Sequence, residues 1–150
     1  MKTYLFASLL LVVSILVFMG CPPEEDDFVP YLPGGSGEPS IFLTVVPAIG
    51  SHENLRGQVW HVWPSENMVA VYIKYNGWWT KPYFNSPVTS ISYHGGWTCD
   101  ITTGGQDPQA TEVAAFLIPL GYSPPQASGF PSLPAGLFDN ALDWVIVARD

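Results

Sequence analysis

The stretch Met68-Val69-Ala70-Val71-Tyr72-Ile73-Lys74-Tyr75 decides the fold of this chain. Successive side chains of a β-strand point to opposite faces, so residues two apart share a face. One face would carry Val69, Val71 and Ile73, which are branched and apolar. The stretch therefore predicts a β-strand over 68–75 that lies in a sheet with a buried side.

Similar short runs recur at roughly ten-residue spacing, as in proteins built from two packed β-sheets. They cover 41–46, 55–62, 88–93, 97–101, 112–118 and 142–148. Turn residues such as Gly95-Gly96 and Pro124-Pro125 separate them, and one short helix is predicted over 133–142, beginning at Pro134. The pattern predicts an all-β, antiparallel sandwich of about seven strands.

The charge of the chain restricts its partners. The chain has 150 residues, with 5 Lys and Arg against 13 Asp and Glu, and a net charge of −8. This length accommodates one domain and a tether. The few cations are scattered, whereas nucleic-acid binding requires clustered Lys and Arg. We therefore expect no nucleic-acid partner.

A fifteen-residue apolar run, 4–18, follows Lys2 at the beginning of the chain. A helix that spans a bilayer needs about twenty apolar residues. A basic start, a short apolar run and a small residue, here Gly20, are typical of a secretory signal segment. The run predicts export of the chain that follows it, with an uncleaved N-terminal anchor helix as the alternative.

The string Val17-Phe18-Met19-Gly20-Cys21 resembles the lipobox of bacterial lipoproteins. The resemblance implies that residues 1–20 are a signal peptide, which is cut before Cys21, and that Cys21 carries lipid. Two or three acyl chains hold a protein stably at a membrane, whereas one chain is marginal. The expected partner is a membrane of the cell envelope. Pro22, in place of an aspartate, favours the outer membrane or cell surface over the inner membrane.

Residues 22–40 are rich in Pro and Gly and contain the acidic run Glu24-Glu25-Asp26-Asp27. Such a composition contains too little apolar surface to form a core. We expect residues 21–40 to comprise the acylated cysteine and a disordered, acidic tether, and residues 41–150 to form the sandwich domain. The tether would hold the domain off the membrane surface.

Aromatic residues are densest in Gly77-Trp78-Trp79-Thr80-Lys81-Pro82-Tyr83-Phe84. Neighbouring tryptophans on a strand point to opposite faces, so one of Trp78 and Trp79 is expected in the core and the other in solvent. Exposed aromatic faces stack on sugar rings, and exposed apolar patches mark interaction sites. The cluster is therefore either a carbohydrate-binding platform or the packing of a sandwich edge. For the platform, the expected ligand-binding residues are Trp78, Trp79, Lys81, Tyr83, Trp97, Asp100, Gln106 and Asp107.

The remaining polar residues predict neither catalysis nor a cofactor. Asp100, Asp107 and Glu112 could supply oxygen ligands to calcium, but their spacing fits no EF-hand loop, and turn chemistry is the alternative. The three histidines lack metal-ligand spacing, and no Gly-x-Ser-x-Gly nucleophile elbow is present. Acylation of Cys21 would leave Cys99 without a disulfide partner in its own chain, and Cys99 is expected to be a small buried hydrophobe rather than a reactive thiol. We expect a protein that is not an enzyme and that binds no metal.

The order of motifs from Thr44 to Arg149 resembles a bacterial accessory β-sandwich module found beside secreted glycoside hydrolases. The resemblance is carried by Val69-Ala70-Val71-Tyr72-Ile73, by the aromatic string 77–84 and by Gly96-Trp97-Thr98-Cys99-Asp100. It implies an Ig-like or fibronectin-III-like fold and a non-catalytic, extracytoplasmic role. The expected function is a membrane-anchored binding module for carbohydrate, with a structural or protein-interaction lipoprotein as the alternative.

Overall fold

The computed structural model describes residues 34–150. The predictions for the signal peptide, for lipid on Cys21 and for most of the tether lie outside these residues. The described chain contains nine strands, one short helix α1 (Ala135–Asn140) and a 3₁₀ turn at Asp107–Gln109. The strands are β1 (Ser40–Val45), β2 (Leu55–Trp60), β3 (Asn67–Lys74), β4 (Trp78–Lys81), β5 (Thr89–Ser90), β6 (Gly96–Cys99), β7 (Glu112–Pro119), β8 (Ser128–Phe130) and β9 (Asp143–Ala148).

The strands form two antiparallel sheets that pack face to face. Sheet A has the order β1-β2-β6, and sheet B has the order β8-β4-β3-β7-β9, with β5 also paired to β3. This arrangement matches strands A, B and E packed against C′, C, F and G in Ig-like sandwiches. The predicted all-β, antiparallel sandwich is therefore confirmed, with nine strands in the described chain instead of about seven and with β8 as an addition to the Ig-like strand order.

The main core lies between the two sheets, where alternate residues of the facing strands are buried. Val69, Val71 and Ile73 of β3 are fully buried here, as the alternation in 68–75 predicts. Cys99 lies in the same core, and burial raises the pKa of its thiol to about 11. Cys99 is thus a small buried hydrophobe in the folded chain, as expected.

The outer face of sheet B is covered as well, by the connection from β7 to β9. This connection, 120–142, contains β8 and α1. Tyr72 and Phe116 of the sheet pack beneath it, and edge-to-face ring contacts continue from Phe116 through Phe138 to Trp144. β3 and β7 are consequently buried on both faces, which explains why their sequences are almost wholly apolar.

β4 and β5 are two pieces of one interrupted strand, because both pair with the same side of β3. Lys81 pairs with Val71, and Thr89 pairs with Val69. Only one β3 residue lies between these two pairs, whereas seven residues, 82–88, connect β4 to β5. These seven residues leave the sheet and form a loop, the excursion. β5 contacts β6 of sheet A, whereas the main contacts of β4 are with β3 and β8. Among the described strands, sheet A therefore makes its main contacts with β5, β7 and β9 rather than with β4.

One predicted strand is much shorter than expected, and two strands were not predicted. The predicted strand 88–93 is reduced to β5 because a tight turn follows it, in which the Gly95 N–H donates to the Ser92 carbonyl. β4 lies in the aromatic string, for which no separate strand was predicted. β8 contains Gly129, with a φ of +75°, and its sequence indicates a turn. It is a strand because its backbone pairs with β4 at the sheet edge.

The short helix confirms the prediction for 133–142. α1 occupies Ala135–Asn140, and Pro134 stands directly before its first residue. Proline suits this position because the first N–H groups of a helix have no partner within the helix. α1 presents the buried Leu137 to the outer face of sheet B and so completes the layer over that face.

Candidate functional site

A groove of about 640 Å³ lies at the β4 edge of sheet B, between the excursion and the loop 103–107. Sites for small ligands enclose roughly 300–1,000 Å³. The groove is lined by Tyr75, by residues 79–85 and by residues 103–107. β4 ends here at Lys81, directly before Pro82, and the chain turns away from β3. The groove therefore forms where β4 leaves the sheet.

Trp79 forms the floor of the groove. It points to the inner face of sheet B, where it packs against the main core and stays half-buried. Its indole N–H donates to the Tyr75 carbonyl at 2.9 Å. Gly129 of β8 lies beside the ring, so closely that a Cβ at this position would stand 3.2 Å from Cζ2. The ring is thus held in place with its polar atom satisfied, and its apolar surface lines the groove.

Tyr83 and Phe84 form one wall of the groove. They stand at the tip of the excursion and are 53% and 43% exposed. The Ser86 N–H donates to the Tyr83 carbonyl at 3.1 Å, and the Gln126 side-chain amide donates to the Phe84 carbonyl. The backbone of the tip is therefore fastened to the domain, while both aromatic side chains extend into solvent.

Lys81 and Asp107 join the two sides of the groove. They form an ion pair in which the side chains are 7% and 13% exposed. The Lys81 Nζ also donates to the Thr103 Oγ1 at 3.2 Å, and this hydroxyl donates to the Pro82 carbonyl at 2.6 Å. Each of these links runs between the β4 side and the loop opposite. The network fixes the two walls relative to each other.

Arg149, near the end of the chain, holds the same loop from its other end. Its buried guanidinium donates to main-chain carbonyls, which belong to Pro47, Ala48, Asp107, Pro108 and Ala110. Burial lowers the pKa of this guanidinium, but a guanidinium stays charged in proteins. The loop is thus anchored by two cations, Lys81 through side chains and Arg149 through carbonyls.

Five predicted ligand-binding residues meet at the groove: Trp79, Lys81, Tyr83, Gln106 and Asp107. Trp79 and Tyr83 offer the apolar surface that stacking requires, and Gln106 stands exposed on the loop. Lys81 and Asp107 bind each other, so the charged contacts expected with a ligand are made within the protein instead. The groove is therefore aromatic on its floor and one wall, and its charges are paired.

Trp78 and Trp97 are almost fully buried, which corrects their predicted stacking role. Trp78 points to the outer face of sheet B and is 5% exposed, with the Lys74 Nζ 5.6 Å from its ring centre. Trp97 is 3% exposed and lies across Gly57, where a Cβ would come within 2.3 Å of the ring. Trp78 and Trp79 thus point to opposite faces, as the alternation predicts, but Trp79 is half-buried at the groove rather than exposed to solvent.

Asp100 lies outside the groove, which corrects its predicted contact with a ligand. Its carboxylate accepts hydrogen bonds from the N–H and the hydroxyl of Thr102, at 2.9 and 3.1 Å, and so stabilises a turn. Asp107 and Glu112 are each paired with a different lysine. Within residues 34–150, no group of three His, Cys, Asp or Glu side chains is placed to hold a metal ion.

Three groove residues carry little signal in the sequence: Tyr75, Asn85 and Thr103. Tyr75 follows β3 as an ordinary strand end would. Asn85 lies in the excursion, whose path depends on how β4 and β5 each pair with β3. Thr103 belongs to a hydroxyl-rich run before Gly104-Gly105, and that run is the available signal for a polar loop.

No helix within residues 34–150 is long and apolar enough to cross a bilayer. No protein-family model, no curated protein and no solved structure matches the chain. The function is therefore inferred from the groove and its surroundings.

Proposed function

We propose that this chain is a membrane-anchored, extracytoplasmic, non-catalytic module that binds carbohydrate in the groove. The observation that carries the proposal is the aromatic lining, with Trp79 as the floor and the exposed Tyr83 and Phe84 as one wall. Sugar rings have apolar faces that pack against such surfaces. Each aromatic contact contributes on the order of 1 kcal/mol beyond the burial of its area.

Polar groups beside the aromatic rings support the same class of ligand. Asn85 and Gln106 stand exposed on opposite sides of the groove. A side-chain amide offers both donors and acceptors, which suits hydroxyl groups that also do both. A sugar presents apolar ring faces and hydroxyl groups around its edge. The aromatic rings of the groove suit the faces, and the amides suit the hydroxyl groups.

The position of the groove suits a protein held by its N-terminus. Gly34 lies against the ring of Trp63, and the Trp63 carbonyl accepts a hydrogen bond from the Asn67 side chain at 2.9 Å. Asn67 begins β3, whereas Tyr75 of the groove follows the last residue of β3. At about 3.3 Å per residue, the ends of β3 are roughly 23 Å apart. The groove thus lies at the other end of β3 from the point where the described chain begins.

Such a site would bind a single sugar chain weakly, because only a few aromatic contacts contribute. Display of many copies on one membrane raises the overall affinity for a repeating polymer without any new contact. The proposed role is thus adhesion of the cell envelope to a repeating glycan.

Retention by polysaccharides tests the proposal. The full-length chain is kept in a polyoxyethylene detergent, which lacks a sugar head group, and is run on a glycan array and through gels that contain the retained polysaccharide. We expect Trp79→Ala and Tyr83→Ala each to weaken retention about fivefold, the equivalent of about 1 kcal/mol. Trp63→Ala and Tyr93→Ala are matched controls, since these residues are 62% and 71% exposed and do not line the groove. Equal retention of all four variants contradicts the proposal.

A second candidate function is that of a structural or protein-interaction lipoprotein. The burial of Trp78 and Trp97 favours it, because two of the aromatic residues then serve the core. A photo-crosslinking substitution, Tyr83→p-benzoylphenylalanine, separates the two functions in intact cells. A protein adduct that disappears with Trp79→Ala, together with no retention by glycans, supports the second function. Glycan retention that depends on Trp79 supports the first.

A further inference from the structure

We infer that the groove selects uncharged carbohydrate. This inference rests on the proposed function and specifies the class of ligand. Among the described residues that line the groove, only Lys81 and Asp107 carry charge at neutral pH, and they form an ion pair with each other. The charges of the two groups cancel within the site.

Neither member of the pair is free to turn toward a ligand. Their side chains are 7% and 13% exposed, and Thr103 and Gly104 complete their hydrogen bonds. An anionic sugar that drew Lys81 away would leave the Asp107 carboxylate without its cation in a buried position. Breaking one partner away from a buried pair is strongly unfavourable. A cationic sugar would meet the same obstacle at Asp107.

The groups that do face a ligand are uncharged. Trp79, Tyr83 and Phe84 supply aromatic surface, and Asn85 and Gln106 supply amides. The net charge of the chain, −8, further opposes the approach of anionic polymers. Cationic polymers are attracted by this field, but the carboxylate that lines the groove is already paired. The ligand that fits these surroundings is a neutral glycan.

The test compares three forms of one sugar on the same surface. The glycan array carries neutral oligosaccharides next to their uronic or sulfated counterparts and their amino counterparts, and the full-length chain is applied in polyoxyethylene detergent. We expect retention of neutral forms at least tenfold above either charged form. We also expect it to change less than twofold between 20 and 500 mM NaCl, because no charge is exchanged with the ligand.

Single-charge variants provide the decisive arm. Asp107→Asn leaves Lys81 unpaired and is expected to raise retention of the anionic forms relative to the neutral forms at least fivefold. Lys81→Met is expected to shift the preference toward the amino forms. The double variant Lys81→Met with Asp107→Leu removes both charges and keeps the preference for neutral forms. Glu112→Gln is the matched control, since it breaks the Lys74–Glu112 pair outside the groove and leaves the preference unchanged.

Each outcome has a separate meaning. Circular dichroism establishes whether each variant is folded. If a single-charge variant does not fold, the double variant still tests the preference for neutral forms. Charged forms retained as well as or better than neutral forms by the unaltered chain overturn the inference and keep the proposed function. An unchanged preference in Asp107→Asn and Lys81→Met, with both folded, also overturns it. Retention of no glycan at all overturns the proposed function and the inference with it.

Discussion

The two faces of β4 carry the same residue type in different surroundings. Trp78 is 5% exposed beneath the connection 120–142, whereas its neighbour Trp79 is half-buried and lines the groove. Both residues lie in the same strand, so strand geometry alone does not explain their different exposure. The outer face is covered by β8, α1 and the chain between them, whereas the three strands of sheet A in the described chain make their main contacts with β5, β7 and β9 rather than with β4. The exposure of an aromatic residue here is set by the width of the layer that packs above it.

The two faces are also held by different forces. The Trp78 face packs apolar atoms from Phe116, Ala127 and Leu137. The Trp79 face is closed around its groove by the ion pair of Lys81 and Asp107. Stability should therefore depend on apolar volume on one face and on charge pairing on the other.

The largest effect is expected from Trp78→Ala. Removal of a buried large aromatic side chain lowers the free energy of unfolding by about 3–5 kcal/mol. Trp79→Ala should lower it by less than half as much, because half-buried rings leave less apolar area to lose. Urea unfolding of the full-length chain, followed by circular dichroism in detergent, measures both. Equal losses would remove the distinction between the two faces.

The second-largest loss of stability is expected from Asp107→Asn. It leaves the Lys81 ammonium buried without a carboxylate, and we expect the free energy of unfolding to fall by about 3 kcal/mol. Glu112→Gln breaks a comparable pair whose side chains are 38% and 32% exposed, and exposed pairs contribute at most about 1 kcal/mol. The same unfolding experiment compares the two. A loss no larger for Asp107→Asn than for Glu112→Gln contradicts the role given to the buried pair.

Thr80→Val tests the side-chain hydrogen bond that links β4 to the residue directly before β8. The Thr80 hydroxyl accepts a hydrogen bond from the buried Ala127 N–H at 2.8 Å, and valine has the same shape without the acceptor. An unsatisfied buried N–H costs about 1–3 kcal/mol, and we expect a loss of stability near the lower end. Thr98→Val on the exposed side of β6 is the control and should change stability by less than about 0.5 kcal/mol. Similar losses of stability in both variants would contradict the contribution of this hydrogen bond.

The smallest effect at neutral pH concerns Tyr72 on the covered face. Burial, and secondarily the neighbouring Tyr122, raise the pKa of the Tyr72 phenol above its usual value of 10.0. The folded chain therefore holds this proton more tightly than the unfolded chain does. The resulting stability is complete below pH 10 and is lost as the pH rises above it. Unfolding between pH 7 and 11 should show a steeper alkaline decline in the unaltered chain than in Tyr72→Phe, and parallel curves would contradict the assignment.

The sandwich core was predictable from local patterns. Alternation in 68–75 indicates one buried face, and Val69, Val71 and Ile73 are fully buried as it predicts. The same rule separates Trp78 from Trp79. The nearly continuous apolar sequence of 112–118 predicts a central buried strand, and β7 is one. A period of two residues reports burial because side-chain direction is a local property of the strand.

The groove was not predictable as a whole, because its parts meet only in the folded chain. Residues 79–85 and 103–107 are far apart in sequence and are joined by Lys81 and its partners. The burial of Trp97 likewise depends on the register of β2 and β6, which places Gly57 directly opposite. Residue type alone does not distinguish such a core tryptophan from a ligand-binding one.

The interruption between β4 and β5 leaves the tip of the excursion open to exchange. Its two ends are fixed by the pairs of Lys81 with Val71 and of Thr89 with Val69. The Pro82 carbonyl and Val88 contact the rest of the domain, so 83–87 is the part in which a longer or different sequence is best tolerated. Each doubling of a flexible loop adds only about 0.6 kcal/mol of closure entropy. One wall of the groove is therefore a loop whose sequence can be exchanged. Grafting new sequences there offers a way to change what the domain recognises while its sheets stay the same.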